Sequence, residues 1–287
     1  MKDFSFSKDI KTIRTILQLT QQSFADALGV SRVTLVRYEN GVSIPEPKIL
    51  EAIYDLAYRK GIRLAKAKAE LLLDDHPNEI ILFHGAKKEI DGPIDANHTD
   101  GPADFGNAFY LGENLEQAGS WVFNRKGSSV YCFRFTPDSD WKAISLPIGM
   151  RWMQAILYFR GRLDKYRIPA SLQKDLDEIA LCDYLIAPIA DNQMYDVLET
   201  FGRGEITDEA CLHALSANRL GKQYVMKSER ACQRLVFADR FYLCQEERKA
   251  LESQKANQFA ERERKVRLSL IEYRRKGKYI DELFDIK

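Results

Sequence analysis

The stretch TQQSFADALGVSRVTLVRYENG, residues 20–41, constrains the fold more than any other part of the chain. Thr20 and Ser31 are residue types that cap helix N-termini, and Gly29 between them suits the left-handed turn that ends a helix. Val30 is placed to fill the angle between the two helices. Helical spacing predicts that the remaining apolar and small side chains face a shared core; these are Phe24, Ala25, Leu28, Leu35 and Tyr38. The stretch therefore predicts two short helices joined by a tight turn.

This layout resembles the helix-turn-helix of the Cro/phage-repressor (XRE-like) class over roughly residues 8–60. The resemblance implies that residues 32–38 form a recognition helix in the major groove of double-stranded DNA and that the protein binds as a homodimer. It assigns contacts with guanine edges or with phosphates to Arg32 and Arg37, and contacts with thymine methyls to Val33 and Thr34. Gln21 and Asn40 would contact backbone phosphates. The alternative is a helical hairpin that only packs or dimerises.

Charge is distributed unevenly along the 287 residues, although the net charge is only +1. Residues 1–69 carry a net charge of +5, residues 70–244 carry −7, and residues 245–280 carry +5. Two basic ends around an acidic middle predict that the ends meet a polyanion. We expect three regions: residues 1–75 with the DNA-binding domain and a linker helix, residues 76–244 as a second domain, and residues 245–287 as a charged helical tail.

From Glu79 onward, short apolar strands alternate with polar loops and helical patterns, which predicts an α+β domain. Three features occur in order. A strand in IILFHGAKKE reaches His84-Gly85. The segment GNAFY then leads into a predicted helix over NLEQAGSWVF, and a late strand begins with Gln223-Tyr224. Residues 192–201 and 207–217 are also predicted helices, and CQRLVFADRFYL is predicted as strand.

These three features resemble the ADP-ribosyltransferase fold, with its His–Tyr–Glu arrangement. The segments DFGNAFYLGENLEQAGSW and DYLIAPIADNQMYD are similar to an uncharacterised bacterial branch of that superfamily, whose members often sit in operons resembling toxin–antitoxin loci. The resemblance covers roughly residues 79–244. It implies a multidomain fold, with an all-α helix-turn-helix domain, an ADP-ribosyltransferase-like α+β domain and a basic helical tail. It also implies NAD as substrate or ligand.

The resemblance also implies roles for individual residues in holding NAD at an oxocarbenium-like transition state. Gly85 would offer backbone groups to the nicotinamide carboxamide, and His84 would bind the adenine-side ribose. Phe109 or Tyr110 would stack on one face of the nicotinamide, and Trp121 would cover the other face. Only one of Phe109 and Tyr110 can face the site, because neighbouring strand residues point to opposite faces. The residue types leave open which one it is.

Gln223 stands where the superfamily places its catalytic Glu, so the charge of that acid is missing. Three alternatives follow: an enzyme that is slow or uses a carboxylate from elsewhere, such as Asp191 or Glu229; a substrate-assisted reaction; or a domain that only binds NAD or ADP-ribose. Each residue also has a structural alternative. His84 and the aromatic residues could belong to the core, and Asp191 could cap the helix that follows it.

Two functions are compatible with these patterns. The first is a toxin-like mono-ADP-ribosyltransferase that acts on a macromolecule, with a cognate antitoxin as partner. The second is a transcriptional regulator whose second domain senses NAD or ADP-ribose, and catalysis itself stays open. An odd number of cysteines without a CxxC pair, the absence of a signal-peptide core and the absence of metal-ligand spacing predict reduced buried thiols, no metal, no membrane and a cytoplasmic location.

The basic stretch RERKVRLSLIEYRRKGK near the C-terminus is predicted to be helical through Tyr273. We expect it to contact either DNA phosphates or a partner protein, and we expect residues 245–262 to form a solvated helix.

Overall fold

The computed structural model describes residues 6–97, 99, 103–216 and 221–287. All of the candidate site residues lie within these ranges. The last residue of the helix predicted over 207–217 lies outside them.

Five α-helices occupy the described residues between Phe6 and Asp75, and they include the two short helices predicted within residues 20–41 and the predicted linker helix. Thr20 accepts a hydrogen bond from the backbone N–H of Ser23, and Ser31 accepts one from the N–H of Thr34, so both predicted caps are confirmed. Gly29 is left-handed with φ of 67°, which confirms the predicted turn. The helices are α1 (Phe6–Ile16), α2 (Gln21–Leu28), α3 (Arg32–Glu39), α4 (Pro47–Arg59) and α5 (Leu64–Asp75).

The side chains predicted to face the core of this helical region are buried: Phe24, Ala25, Leu28, Leu35 and Tyr38. They pack with apolar residues of α1 and α4, and Val30 packs partly buried against the same cluster. Each large aliphatic or aromatic side chain buried in this way contributes about 1.5–3 kcal/mol. Local capping and a shared apolar core therefore specify the helix-turn-helix together.

The rest of the described residues form a mixture of strands and helices, as predicted. The strands are β1 (Ile80–Ala86), β2 (Phe109–Gly112), β3 (Ser129–Phe135), β4 (Ala143–Ser145), β5 (Tyr184–Pro188), β6 (Lys222–Met226) and β7 (Val236–Tyr242). These seven strands form one sheet in the order β4-β5-β6-β2-β1-β3-β7. Strand β4 pairs parallel with β5, whereas β6 pairs antiparallel with both β5 and β2.

Eight further helices complete the described residues, and they are α6 (Leu115–Ser120), α7 (Met150–Phe159), α8 (Ala170–Ala180), α9 (Asn192–Gly202), α10 (Asp208–Ser216), α11 (Glu229–Gln233), α12 (Gln245–Tyr273) and α13 (Ile280–Leu283). The tail is helical through Tyr273, as predicted. The strand prediction for CQRLVFADRFYL is wrong at its start, because Ser228 caps α11 through the N–H of Ala231 and keeps Cys232 and Gln233 helical. Helix α6 ends at Ser120, so Trp121 follows the helix instead of closing it.

The chain divides into two compact units. The first unit contains the chain up to Gly92, Leu115–Arg134 and Phe237–Gln254, and the second contains Pro93–Asn114, Phe135–Val236 and Lys255–Lys287. The predicted domain boundaries at 75/76 and 244/245 stay a prediction. Among the described residues, no helix is both long enough and apolar enough to cross a bilayer.

Candidate functional site

Helix α3, the predicted recognition helix, exposes three of the four side chains that are predicted to contact the major groove. Arg32 and Arg37 are exposed, and Val33 is 70% exposed although it is aliphatic. Thr34 is half-buried, and its hydroxyl shares a 2.8 Å hydrogen bond with the Ser31 hydroxyl, so it contributes to the cap as well. The exposed face of α3 therefore presents two guanidinium groups and one aliphatic side chain, which are groups that can read guanine edges and thymine methyls.

A buried ion pair between Arg14 of α1 and Glu39 holds the inner side of this helix, and sequence patterns did not predict it. Arg14 Nε donates to Glu39 Oε1 at 2.5 Å, and Gln21 Nε2 donates to Glu39 Oε2 at 2.9 Å. The oxygen of the Gln21 amide accepts a 3.2 Å hydrogen bond from Arg32 Nη2. Gln21 is therefore part of a chain of contacts that runs from α1 to the first residue of α3. Its predicted phosphate contact remains a prediction, as does that of Asn40, which is exposed at the C-cap of α3.

Helix α4 caps the N-terminus of the long helix α12, and both ends of this contact lie in the first unit. Glu51 accepts hydrogen bonds from the backbone N–H of Gln245 and from the Tyr242 hydroxyl, the latter at 2.7 Å. Asp55 accepts a 3.0 Å hydrogen bond from the N–H of Glu246. Carboxylates at a helix N-terminus satisfy unpaired N–H groups and interact favourably with the helix dipole.

A small cavity of about 20 Å³ lies beside this contact, lined by Tyr54, Lys68 and Glu247 among others. It has room for about one water molecule, so it is not a ligand pocket. Burial raises the pKa of Glu247 to about 7, while Arg63 lowers it and Glu116 raises it further.

In the second unit, the register of β2 against β6 decides which aromatic residue shares a face with Gln223. Gly112 pairs with Gln223 and Tyr110 pairs with Val225, so Tyr110 and Gln223 lie on the same face of the sheet. Phe109 lies on the opposite face and is fully buried. The geometry thus places Tyr110, and not Phe109, on the face of Gln223.

Gln223 is a buried amide with two hydrogen-bond acceptors. It is 6% exposed, and its Nε2 donates to Asp104 Oδ2 and to the Pro188 carbonyl, both at 3.2 Å. Asp104 is 7% exposed, and its Oδ1 accepts from Arg160 at 3.0 Å (Nε) and 2.6 Å (Nη2). Buried polar groups are stable only when they are paired in this way, so the amide, the carboxylate and the guanidinium form one unit.

Aromatic and cationic groups surround this network. The guanidinium of Arg160 stacks over the Tyr195 ring, 3.8 Å from its centroid. The Tyr110 hydroxyl donates to the Gly106 carbonyl at 2.7 Å and accepts from the Phe105 N–H at 3.1 Å, and burial raises its pKa. The loop that carries Asp104 is therefore held to β2 by Tyr110 at two points.

The two carboxylates predicted as alternatives to an acid at position 223 belong to Asp191 and Glu229, and both form hydrogen bonds with groups other than Gln223. Asp191 caps α9 through the Met194 N–H, and its second oxygen accepts from Arg262 at 2.7 Å. Glu229 accepts a 3.2 Å hydrogen bond from the Ala96 N–H. The carboxylate hydrogen-bonded to Gln223 is Asp104, which precedes Gln223 by 119 residues, so no local motif could have indicated it.

His84, Gly85 and Trp121 belong to the first unit. A Cβ at Gly85 would meet the Ala118 carbonyl oxygen at 2.3 Å, so a glycine is required there for α6 to approach β1. His84 is half-buried on β1, and Trp121 is 45% exposed. Their predicted roles toward NAD stay predictions.

The five cysteines are free and buried. Burial raises the pKa of Cys132 and of Cys232 to about 12, which keeps both thiols protonated at neutral pH. Within the described ranges, no three His, Cys, Asp or Glu side chains are arranged to hold a metal ion.

Comparison with known proteins identifies the larger region. Residues 80–237, more than half of the chain, match the family described as "Protein of unknown function (DUF3990)". The chain belongs to the DUF3990 family. Residues 10–54 match a helix-turn-helix family, which confirms the predicted helix-turn-helix.

The chain is also similar to a curated protein, the "Uncharacterized HTH-type transcriptional regulator YqaE" of Bacillus subtilis (strain 168). The two are 32% identical over 88 residues, which is 31% of this chain and 69% of that protein. No solved structure shows a significant match to the chain.

Proposed function

We propose that this DUF3990 protein is a DNA-binding transcription regulator that reads its operator with helix α3. The main support for this proposal is the exposed face of α3, on which Arg32, Val33 and Arg37 lie outward. The helix is capped at Ser31, and its buried side chains pack in the core. The helix-turn-helix match over residues 10–54 and the similarity to an HTH-type regulator support the proposal. The protein binds as a homodimer to two half-sites about one helical turn apart.

Selection from a library of random duplexes tests this function. The full-length protein should enrich a sequence with two related half-sites, and sedimentation of the complex should give two chains per duplex. Recovery of unrelated sequences after several rounds would contradict the proposal.

A second candidate function concerns the DUF3990 domain, which we propose binds NAD or ADP-ribose as a sensor. Tyr110 and Gln223, two of the residues that the resemblance assigns to an NAD site, lie on one face of the sheet. Sensing is favoured over transfer because the amide of Gln223 carries no charge and the adjacent Asp104 is paired with Arg160. Stabilisation of a ribosyl cation depends on a negative charge directed at the reacting centre.

Calorimetry with NAD and with ADP-ribose tests the sensor. Binding that is weakened by Gln223→Ala, without release of nicotinamide, supports sensing. Release of nicotinamide together with labelling of a macromolecule by NAD would instead establish a transferase, and absence of binding to both ligands would remove both roles.

A further inference from the structure

The last turns of α12 and the turn that follows present a cationic surface, here called the arginine face: Arg264, Arg267, Leu268, Ile271, Arg274 and Arg275. The four members within the helix fall inside an arc of about 100° at 3.6 residues per turn. Leu268 and Ile271 are 57% and 56% exposed, and the four arginines are also exposed. One side of the helix therefore carries Arg264 and Arg267 with two aliphatic side chains between them, and Arg274 and Arg275 follow in the turn after Tyr273.

Contacts within the second unit fix the orientation of this surface. Val266 is buried in the core of this unit, and Leu270 packs against the same core. Arg262 Nη1 donates to Asp191 Oδ2 at 2.7 Å, and the Tyr273 ring stacks on the His213 ring with centroids 3.5 Å apart. Because the opposite side of the helix is packed, the arginine face cannot rotate inward without breaking these contacts.

The charge of the segment is available for binding. Residues 261–278 carry eight lysines and arginines against three glutamates. One of those glutamates, Glu261, is already paired with Lys265 at 2.7 Å. The four arginines of the arginine face form no ion pair with another described residue. Exposed guanidinium groups of this kind are suited to bidentate contacts with phosphate.

We propose that the arginine face binds the phosphate backbone of duplex DNA as a second contact that does not read sequence. This inference builds on the proposed function but uses different residues from those that read bases. Duplex DNA fits by charge, since it presents a regular row of phosphates. A membrane surface fits less well, because an interfacial helix buries a broad apolar face and only two aliphatic side chains are exposed here.

The test compares two full-length variants with the same change in charge. The first replaces Arg264, Arg267, Arg274 and Arg275 with Gln, a residue that favours helices and keeps a polar surface. The control replaces four exposed lysines in other parts of the chain, Lys88, Lys126, Lys142 and Lys174, with Gln. Circular dichroism and thermal unfolding verify that both variants retain the fold. Fluorescence anisotropy then measures binding to a random-sequence duplex over a series of salt concentrations.

We expect a shallower salt dependence for the arginine variant alone. Each phosphate contact contributes about 0.9 to the slope of log K against log salt, so losing four contacts lowers the slope by up to about 3.6. Equal slopes for the arginine variant and the wild type would overturn the proposal. A fall of the same size in the lysine control would also overturn it, because the effect would then come from net charge alone.

The two proposals fail in distinguishable ways. Arg37→Ala tests base reading on the selected operator, whereas the arginine variant is judged on random duplex. Specific operator binding with an unchanged slope in the arginine variant would remove only the arginine face. Binding to phosphatidylglycerol vesicles that depends on these four arginines, combined with an unchanged DNA slope, would assign the face to membranes and overturn the DNA contact.

Discussion

The side-chain amide of Gln223 donates a 3.2 Å hydrogen bond to the carboxylate of Asp104, and both groups are buried. The position that resembles a catalytic acid therefore holds a neutral group that solvates a carboxylate brought from another part of the chain. Arg160 binds the other oxygen of the same carboxylate. The charged groups at this position are therefore those of the Asp104–Arg160 pair, and residue 223 itself contributes an uncharged amide.

Gln223→Glu should destabilise the fold at pH 8 by about 1–3 kcal/mol, because a second carboxylate would replace the amide donor beside Asp104. Asp104→Asn alone should also destabilise, since Arg160 would lose its partner. The double variant should cost less than the sum of the two single variants, because an amide and a carboxylate again face each other. Urea unfolding of the four proteins measures this coupling, and strictly additive free energies would show that the two side chains act independently.

Arg160→Gln should lower the free energy of unfolding by about 3–5 kcal/mol, because it leaves the carboxylate of Asp104 buried without a counter-charge. Arg151→Gln provides the matched control. Arg151 pairs with Asp175 on the surface, and such exposed pairs contribute only about 0–1 kcal/mol. Similar losses for both variants in chemical denaturation would contradict the assignment of the Asp104 pair to the core.

Glu51→Ala should destabilise the protein by about 1–2 kcal/mol, because the N-terminus of α12 would lose its cap and Tyr242 its acceptor. Glu46→Ala is the control, since Glu46 is the N-cap residue that precedes α4 but makes no side-chain capping bond. Hydrogen exchange should become faster at the N–H of Gln245 in the Glu51 variant only. Unchanged protection at that amide would remove Glu51 from the cap.

Glu247→Gln should stabilise the protein at pH 8 and have little effect at pH 4. The folded-state pKa of Glu247, about 7, lies above the value of about 4.3 for an unfolded chain. The native state therefore binds more protons between these pH values, and stability falls as the pH rises through this window. The gain at pH 8 should be about 1–2 kcal/mol after allowance for partial exposure. Glu252→Gln, on an exposed position of the same helix, should show no such pH dependence in thermal unfolding.

The helix-turn-helix could be predicted because its signals are local. Two caps, one left-handed glycine and five core residues lie within 22 residues of sequence. The caps and the turn depend on contacts between residues that are close in sequence. The ion pair between Arg14 and Glu39 could not be predicted from the sequence, because the two residues are 25 positions apart.

The network around Gln223 could not be predicted for the same reason. Asp104 and Arg160 are ordinary charged residues in the sequence. Asp104 lies in the loop before β2 and Arg160 follows α7, and only the tertiary fold brings them to the amide. To decide whether Phe109 or Tyr110 shares a face of the sheet with Gln223, the register of β2 against β6 had to be known. Strand alternation shows that the two side chains point to opposite faces, but it does not show which face carries Gln223.

The most direct test of the regulator is a titration of the selected operator and of a scrambled duplex at one salt concentration. Wild type should bind the operator at least about 1,000-fold more tightly than the scrambled duplex. Arg37→Ala should lose about 1–3 kcal/mol on the operator and much less on the scrambled duplex, if Arg37 reads a base. Arg59→Ala, at an exposed position on α4, should retain the wild-type ratio. Equal affinity of the wild type for the two duplexes would contradict the central claim that α3 reads DNA sequence.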